Sequence, residues 1–413
     1  MLFRSIPHSD LDEDTGDYYL LGLRPPFGSV STIARMPAVR VAHPSIATVL
    51  GRWFWWPLRL TARLGQGPRV VARIVVTDSR LRRFMLTDLQ SAWGCRATAT
   101  MKEAVVEVSV NYFLSDDPTR SPVDEFVNEL ALLRDEGFRR VWAPQMPYEA
   151  DLLTVLAVAF REVDTIEIGT GVLPIQNQHP MLLAQRALTI SLISGGRFTL
   201  GLGMTHRMVT EGMWGISWDR PVRRLSEYLD GLLPLLSGQE VNATGEIVTT
   251  RGMVRIPNAP APPVYIAALG PQMLRLTGRR CAGTLTWMTG PKTLAQHIGP
   301  TLREAAAEAG RPDGAVRVGA ALPVSVTDDV ERVRAQAAEQ FAMYGQLPSY
   351  RAMLDHEGYR VPQDAALIGE ENLVTERIDE LRDAGVDEFV GYPFDASTEG
   401  RARTRKLLRE YGK

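Results

Sequence analysis

The stretch that decides the fold is IEIGTGVLPIQNQHPMLLAQRALTISLISGGRFTLGLGMTH, which runs from Ile166 to His206. Ile166–Leu173 is a short apolar run of the kind that forms a buried strand, and Pro180–Ile193 repeats apolar residues at helical spacing. The pair Gly195-Gly196 ends this helix, and Arg197–Gly203 is the next apolar strand. A strand, a helix and a second strand in succession are typical of a parallel sheet, because parallel strands need a crossover connection.

The same alternation continues on both sides of this stretch. Upstream, Ser121 caps a predicted helix that begins at Pro122, and this helix joins the apolar runs Ala104–Phe113 and Arg139–Ala143. Downstream, four more short apolar strands are predicted, each next to a helical segment: Val264–Ala268, Thr284–Met288, Arg317–Val326 and Glu388–Gly391.

Eight strand–helix units predict a (β/α)8 TIM barrel. Gln239–Ile256 lies between the fourth and fifth strands and has the pattern of a hairpin or loop, so we expect an insertion after strand four. An open doubly wound sheet is the alternative architecture. It is disfavoured because no GxGxxG follows the first strand.

Residues 1–100 differ from the rest of the chain. They carry 13 arginines, no lysine and 7 acidic residues, and glycine or proline interrupts nearly every candidate element. We therefore divide the chain into an irregular basic extension, residues 1–100, and a barrel, residues 101–413. Three interpretations of the extension stay open: a mis-assigned start with Met101 as the true first residue, a small extra domain or loosely folded extension, or a basic arm that contacts membrane or nucleic acid.

Composition excludes several classes of protein. The net charge is −2 and only two cysteines are present, which speaks against nucleic-acid partners and a disulfide framework. The early apolar run from Ile46 to Leu64 contains three arginines, so we expect no membrane span, and acidic residues near the start speak against a signal peptide. The six histidines show no HxxxH spacing, so no metal site is predicted. A cytoplasmic protein follows as the expectation.

In a barrel, the residues that carry chemistry follow the carboxyl ends of the strands. Here those ends include Trp142, Gly203, Thr205 and His206, and they are poor in carboxylates, lysine and cysteine. Nucleophilic or paired-carboxylate hydrolysis therefore lacks its groups. Glycine, methionine, tryptophan and amides suit a flat conjugated cofactor ring instead.

Two histidines follow or adjoin predicted strand ends. His206 is a candidate general acid or substrate ligand, with a surface or helix-capping role as the alternative. His179 precedes Pro180 and is predicted to cap a helix. The turn at Gly270, just before a predicted helix, could hold a phosphate, although a plain turn has the same pattern.

The stretch 166–206 resembles the core of the luciferase-like monooxygenase superfamily, and is most similar to the branch that uses the deazaflavin coenzyme F-420 (8-hydroxy-5-deazaflavin). MWGISWDRPVRRLSEYLDGLLPLL (213–236), VYIAALGPQMLRLTG (264–278) and VTERIDELRDAGVDEFV (374–390) support the resemblance. It leaves residues 1–100 unmatched.

The resemblance implies a flavin or deazaflavin at the carboxyl face of the barrel. It implies a cis peptide between Gly171 and Val172 in a bulge that backs the ring. It also implies contacts to the phosphate side of the coenzyme from Ala268, Leu269 and Gly270, and an approach of Thr205 and His206 to the ring. With Trp142 and Gly203, these residues form the expected coenzyme site.

The chain departs from the sugar-phosphate dehydrogenases of this family, which have an acidic residue and a histidine at the end of strand two. Gln145 and Met146 stand there, and His206 replaces a glutamate after strand four. The expected function is hydride transfer between coenzyme F-420 and a small-molecule substrate, with His206 giving or taking the proton. An FMN-dependent monooxygenase and a non-catalytic barrel that binds a cofactor or metabolite are the alternatives. Substrate, reaction direction and the choice between monomer and homodimer stay open.

Overall fold

The computed structural model describes residues 106–115 and 117–412, together with three strands nearer the amino terminus. The chain divides into two units, Met1–Glu103 and Ala104–Lys413. In the first unit, the three strands form an antiparallel sheet in which the middle one pairs with both others: Tyr19–Leu20, Arg59–Arg63 and Val71–Val75. The predictions that concern the rest of residues 1–100, including a start at Met101, lie outside the described residues.

The second unit contains a closed barrel of eight parallel strands, so the predicted (β/α)8 architecture is confirmed. Neighbours along the chain are neighbours in the barrel, and the last strand pairs with the first. The strands are β1 (Glu107–Asn111), β2 (Arg140–Ala143), β3 (Glu167–Thr170), β4 (Phe198–Gly203), β5 (Val264–Ile266), β6 (Gly283–Trp287), β7 (Arg317–Val326) and β8 (Glu388–Pro393).

Helices connect the strands. Between β1 and β5 they are α1 (Pro122–Glu136), α2 (Leu152–Glu162), α3 (Pro180–Ser194), α4 (Arg207–Gly212) and α5 (Pro221–Leu236). From β5 to the end of the chain they are α6 (Pro271–Arg280), α7 (Pro291–Thr293), α8 (Gly299–Glu308), α9 (Val330–Gln340), α10 (Pro348–Glu357), α11 (Glu371–Asp383) and α12 (Thr398–Tyr411).

The predicted helix starts are observed where side chains can satisfy the free amides of a first turn. Ser121 accepts a hydrogen bond from the amide of Asp124 at the start of α1. His179 caps α3 as predicted, because its Nδ1 accepts a hydrogen bond from the amide of Met181 at 3.2 Å. The predicted insertion after β4 is also present, with Val241–Thr244 and Thr249–Gly252 as an antiparallel hairpin.

The region between β6 and β8 differs most from the sequence expectation. The segment Lys292–Ala309 has the pattern of one continuous helix, but a π-helical turn at Leu294–Ile298 separates α7 from α8. Leu367–Gly369 forms a short parallel strand that pairs with the carboxyl-terminal end of β7. The sequence pattern predicts neither the π-helical turn nor this strand, because both are too short to show a periodic spacing of apolar residues.

A buried ion network closes the amino-terminal end of the barrel interior. The carboxylate of Glu388 is 2% exposed and accepts a hydrogen bond from Arg140 Nη1 at 2.8 Å. Its other oxygen accepts hydrogen bonds from Ser109 Oγ and Trp142 Nε1, both at 2.8 Å. Burial lowers the pKa of the Arg140 guanidinium, but Glu388 and Glu167 outweigh burial and raise it above its usual value. The Arg140 guanidinium therefore stays charged.

Replacing Glu388 with glutamine leaves the part-buried Arg140 short of one negative partner. We expect Glu388→Gln to lower the free energy of unfolding by about 3 kcal/mol, because breaking a buried pair exposes the desolvation cost of the remaining charge. Glu308→Gln is the matched control, since Glu308 and its partner Arg279 are both more than half exposed and their pair contributes less than about 1 kcal/mol. Urea unfolding followed by circular dichroism measures both. Equal effects of the two substitutions would contradict this account of the network.

Candidate active site

A bulge interrupts the barrel where β3 ends. The peptide between Gly171 and Val172 is cis, at the position that the resemblance implied. The amide of Gly171 donates to the Ala143 carbonyl at 2.7 Å, and the amide of Gln145 donates to the Val172 carbonyl at 3.3 Å. These two bonds fasten the bulge to the end of β2 on both sides of the cis peptide.

The bulge interrupts the backbone hydrogen bonds between β3 and β4. The hydroxyl of Thr170 takes their place by bonding to the backbone of β4. Thr170 Oγ1 donates to the Gly201 carbonyl and accepts from the Gly201 amide, both at 2.8 Å. Leu173–Pro174 then rejoins β4, and the amide of Ile175 donates to the Gly203 carbonyl at 3.2 Å. One threonine side chain thus satisfies two buried backbone groups that would otherwise lack partners.

Glycines face the bulge because larger residues would collide with what fills the barrel. A Cβ atom on Gly169 would lie 2.4 Å from Trp142 Cε3, and one on Gly203 would lie 2.7 Å from Val172 Cγ2. A Cβ on Gly201 would lie 1.9 Å from the Thr170 carbonyl oxygen. Trp142 and the bulge can therefore lie side by side only because β3 and β4 have glycines at these positions.

Trp142 lies beneath the bulge, inside the barrel. Its side chain is 1% exposed and packs edge-on against Tyr265, with ring centroids 5.5 Å apart. Through Nε1 it is bonded to Glu388 in the amino-terminal network. The sequence expectation counted Trp142 among the coenzyme contacts, but the structure leaves the indole almost no surface for a ligand. Its place here is that of a support for the bulge.

Buried polar atoms at the carboxyl end of the barrel lack hydrogen-bond partners among the described residues. They include Oδ1 of Asn111, at the end of β1, Nε2 of Gln176, which follows the bulge, and Nε1 of Trp287, at the end of β6. Asn111 lies two residues after Ser109 on β1, and residues two apart in a strand point to the same face. Because the Ser109 side chain points into the barrel, the Asn111 side chain points there too. Gln176 accepts a hydrogen bond through Oε1 from the amide of Thr205 at 3.3 Å. Buried polar atoms without partners are rare, and a bound ligand is one way to satisfy them.

His206 follows β4 and is partly exposed. It occupies the N-cap position of α4, but its ring makes no capping hydrogen bond there, so the capping alternative does not account for it. The imidazole lies edge-on to Tyr350, with ring centroids 6.1 Å apart. Burial lowers its pKa below the usual value, so the imidazole is mostly neutral at neutral pH.

Ala268, Leu269 and Gly270 form the turn between β5 and α6. Gly270 takes the N-cap position of α6, and a glycine has no side chain with which to cap the first-turn amides. The neighbouring α7 differs, because Glu357 accepts hydrogen bonds from the amides of Lys292 and Thr293. The start of α6 is thus the better place for an anionic group.

Gln145, at the end of β2, organises its own loop. Its Nε2 donates to the carbonyls of Met146 and Ala150, and its Oε1 accepts from the amide of Leu152 at 2.6 Å. The side chain is therefore engaged in the backbone of the β2–α2 connection. It supplies no acid to the carboxyl end of the barrel.

A second concave surface lies outside the barrel, between α5 and the hairpin. Its lining includes Glu227, whose carboxylate accepts hydrogen bonds from the amides of Glu246, Ile247 and Val248. None of the residues that line it comes from a barrel strand. We name it the α5 groove, and its polar groups are used in holding the hairpin.

The described residues contain no group of three or more His, Cys, Asp or Glu side chains that could hold a metal ion. No helix in this part of the chain is both long and apolar enough to cross a membrane.

Comparison with known proteins identifies the family. The family model described as luciferase-like monooxygenase matches residues 108–388, which is more than half of the chain. The 5,10-methylenetetrahydromethanopterin reductase of Methanolobus tindarius is 28% identical over 216 residues. That match covers 52% of this chain and 66% of the reductase, just under two thirds of its length.

Two solved structures show the same fold. The coenzyme F-420-dependent tetrahydromethanopterin reductase of Methanopyrus kandleri matches with a TM-score of 0.62 and 22% identity, over 74% of this chain and 98% of that one. The oxygenating constituent of 3,6-diketocamphane monooxygenase of Pseudomonas putida, solved in complex with FMN, matches with a TM-score of 0.61 and 18% identity. This match covers 74% of this chain and 97% of the monooxygenase.

Removing the hydroxyl of Thr170 tests the construction of the bulge. Thr170→Val leaves the amide and carbonyl of Gly201 unsatisfied, and we expect the free energy of unfolding to fall by about 2 kcal/mol. Thr189→Val is the control, because the Thr189 hydroxyl is exposed and bonds only to the Gln185 carbonyl of its own helix. We expect the control to cost less than about 0.5 kcal/mol in the same urea titration. If both variants unfolded like the unmodified chain, Thr170 would not hold the bulge.

Proposed function

The chain belongs to the luciferase-like monooxygenase family, and we propose that it is an oxidoreductase that transfers a hydride between coenzyme F-420 and a small organic substrate. The observation that carries this proposal is the bulge at Gly171-Val172, with partnerless buried atoms of Asn111 and Gln176 at the same end of the barrel. The methylenetetrahydromethanopterin reductase relative and the F-420-dependent structure support the choice of coenzyme.

The residues at the carboxyl end fit a flat tricyclic ring with a polar edge. Gly171 and Val172, which are partly exposed, would form the wall against its face, and Gly203 packs directly behind Val172. Asn111 Oδ1 would accept a hydrogen bond from the ring, and Gln176 Nε2 would donate one. Thr205 is held beside this edge by its bond to Gln176.

The phosphate-bearing tail of the coenzyme would lie at the start of α6. The turn Ala268-Leu269-Gly270 leads to first-turn amides that no N-cap side chain occupies. His297 holds this turn in place, because its Nε2 lies 2.8 Å from the Leu269 carbonyl. When bound, the deazaflavin supplies a ring carbon that accepts or releases hydride.

His206 would carry the proton. Because its pKa lies below the usual value, the imidazole at neutral pH is a base, ready to take the proton of a substrate hydroxyl as the carbon loses hydride. In the reverse direction it must first be protonated, which acidic solution favours. The rate of substrate oxidation should therefore rise, and the rate of carbonyl reduction should fall, as the pH increases through the pKa of His206.

An FMN-dependent monooxygenase is the second candidate, and the structural match to the FMN-bound camphane enzyme favours it. The ring site described above would accept either tricycle. The two functions differ in the reaction with oxygen, since a deazaflavin reacts poorly with it and a reduced flavin reacts readily. The third expectation, a barrel that binds without turnover, has no observation of its own in its favour.

The coenzyme preference is directly measurable. We expect the full chain to bind oxidised coenzyme F-420 with a Kd in the micromolar range or below, and FMN at least tenfold more weakly, in fluorescence titrations. Tighter binding of FMN would replace the hydride-transfer proposal with the monooxygenase. Tight binding of F-420 without turnover of alcohols, ketones, enones or nitro compounds would favour the binding barrel.

His206→Ala separates the proton step from coenzyme binding. We expect turnover to fall by about 10²- to 10⁴-fold, the usual contribution of a general acid or base, while the Kd for the coenzyme stays within about threefold. The rate of substrate oxidation by the unmodified chain should rise with pH with a midpoint below the usual histidine value of about 6.5, and His206→Ala should lose this dependence. Unchanged turnover in the variant would exclude His206 as the proton carrier.

A further inference from the structure

A continuous row of aromatic rings crosses the carboxyl end of the barrel. We call it the aromatic arc, and its successive members are Phe113, Tyr392, Trp287, Tyr344, Tyr350 and His206. Neighbouring ring centroids are 4.9, 6.2, 6.0, 5.0 and 6.1 Å apart in that order. The arc ends at the imidazole assigned to the proton step.

The arc is assembled from distant parts of the chain. Trp287 and Tyr392 lie on β6 and β8, and Phe113 follows β1. Tyr344 and Tyr350 come from the connection between β7 and β8, which carries them to His206 after β4. This connection therefore completes a wall that the strand ends alone would leave open.

Four rings of the arc pack against the core, but none of the six is buried in it. All six are partly exposed, whereas the aromatic side chains of the core, such as Phe126 and Phe389, have no exposed surface. Interplanar angles between neighbours run from 58° to 73°, so the rings turn along a curved wall rather than stack. Partly exposed aromatic surface at the strand ends of a barrel is typical of a binding site.

The chemistry of the arc is uncharged. It contains no carboxylate, amine or guanidinium, and its histidine is mostly neutral. Burial raises the pKa of Tyr344 and of Tyr392, so both phenols keep their protons at physiological pH. Such a wall offers ring faces and hydroxyl groups. Arg401 acts on Tyr392 from outside the arc, but its guanidinium is bonded to the carbonyls of Asp395 and Ala396.

We propose that the aromatic arc is the substrate-binding wall and that it selects an uncharged, flat ring compound that carries a carbonyl or hydroxyl group. This inference rests on the proposed function, because the arc leads the substrate to His206. An anionic substrate would lose its hydration against negative ring faces without compensation. A flat neutral ring gains edge-to-face contacts with several members of the arc.

The test uses 2-acetylnaphthalene as the neutral probe and 6-acetyl-2-naphthoate as its charged counterpart. We expect the full chain, without coenzyme, to bind the neutral ketone at least tenfold more tightly than the carboxylate in calorimetric titrations. Tyr350→Leu should weaken binding of the ketone about fivefold, because the variant loses a ring contact, and Tyr350→Phe should stay within twofold. Equal binding of the two probes, or no effect of Tyr350→Leu, would overturn the proposal.

Tyr359→Leu is the control for general effects of removing a tyrosine. Tyr359 lies on the same β7–β8 connection, but its hydroxyl accepts a hydrogen bond from Arg377 and it is not a member of the arc. We expect this variant to bind the ketone within twofold of the unmodified chain. An equal loss in Tyr359→Leu and Tyr350→Leu would assign the effect to folding of the connection and overturn the role of the arc.

A separate F-420 titration of the same samples distinguishes the two proposals. Selective ketone binding in a chain that binds no F-420 would support the arc and reject the coenzyme. F-420 binding with no preference for the neutral ketone would reject the arc and leave the proposed function standing.

Discussion

The hydrogen bond from the Trp142 indole to the buried carboxylate of Glu388 fixes the element on which the site is built. It holds a large ring across the barrel interior, directly under the Gly171-Val172 bulge. Arg140 supplies the opposite charge that makes this carboxylate stable in a buried place. The ion network at the amino-terminal end of the barrel therefore supports the bulge at the carboxyl end.

The space taken by Trp142 and Val172 sets the sequence of the two strands beside them. Gly169, Gly201 and Gly203 have no room for a Cβ atom, and the Thr170 hydroxyl must pair with Gly201 because the backbone of the bulge cannot. The glycines of these strands are thus a consequence of the packing around the bulge. In the proposed function, the partly exposed bulge is the surface against which the ring would lie.

Much of the fold could be predicted from the sequence, because parallel strands buried on both faces are short apolar runs and helices repeat at 3.6 residues. The helix caps Ser121 and His179 were predictable because each bonds to an amide only two or three residues further along the chain. The bulge followed from resemblance, since no periodicity encodes it. No sequence signal pointed to Asn111, Gln176, Tyr344 or Tyr350, because the roles proposed for them depend on which distant strand ends and connections meet. Trp142 was expected to contact the coenzyme, whereas its side chain is 1% exposed and leaves a ligand almost no surface.

The crystal structure of the full chain with oxidised coenzyme F-420 tests the central claim most directly. The account predicts that the ring lies against Gly171 and Val172, with its polar edge at Asn111 and Gln176 and its phosphate at the start of α6. A ring bound in the α5 groove, or at the carboxyl end but away from the bulge, would contradict it.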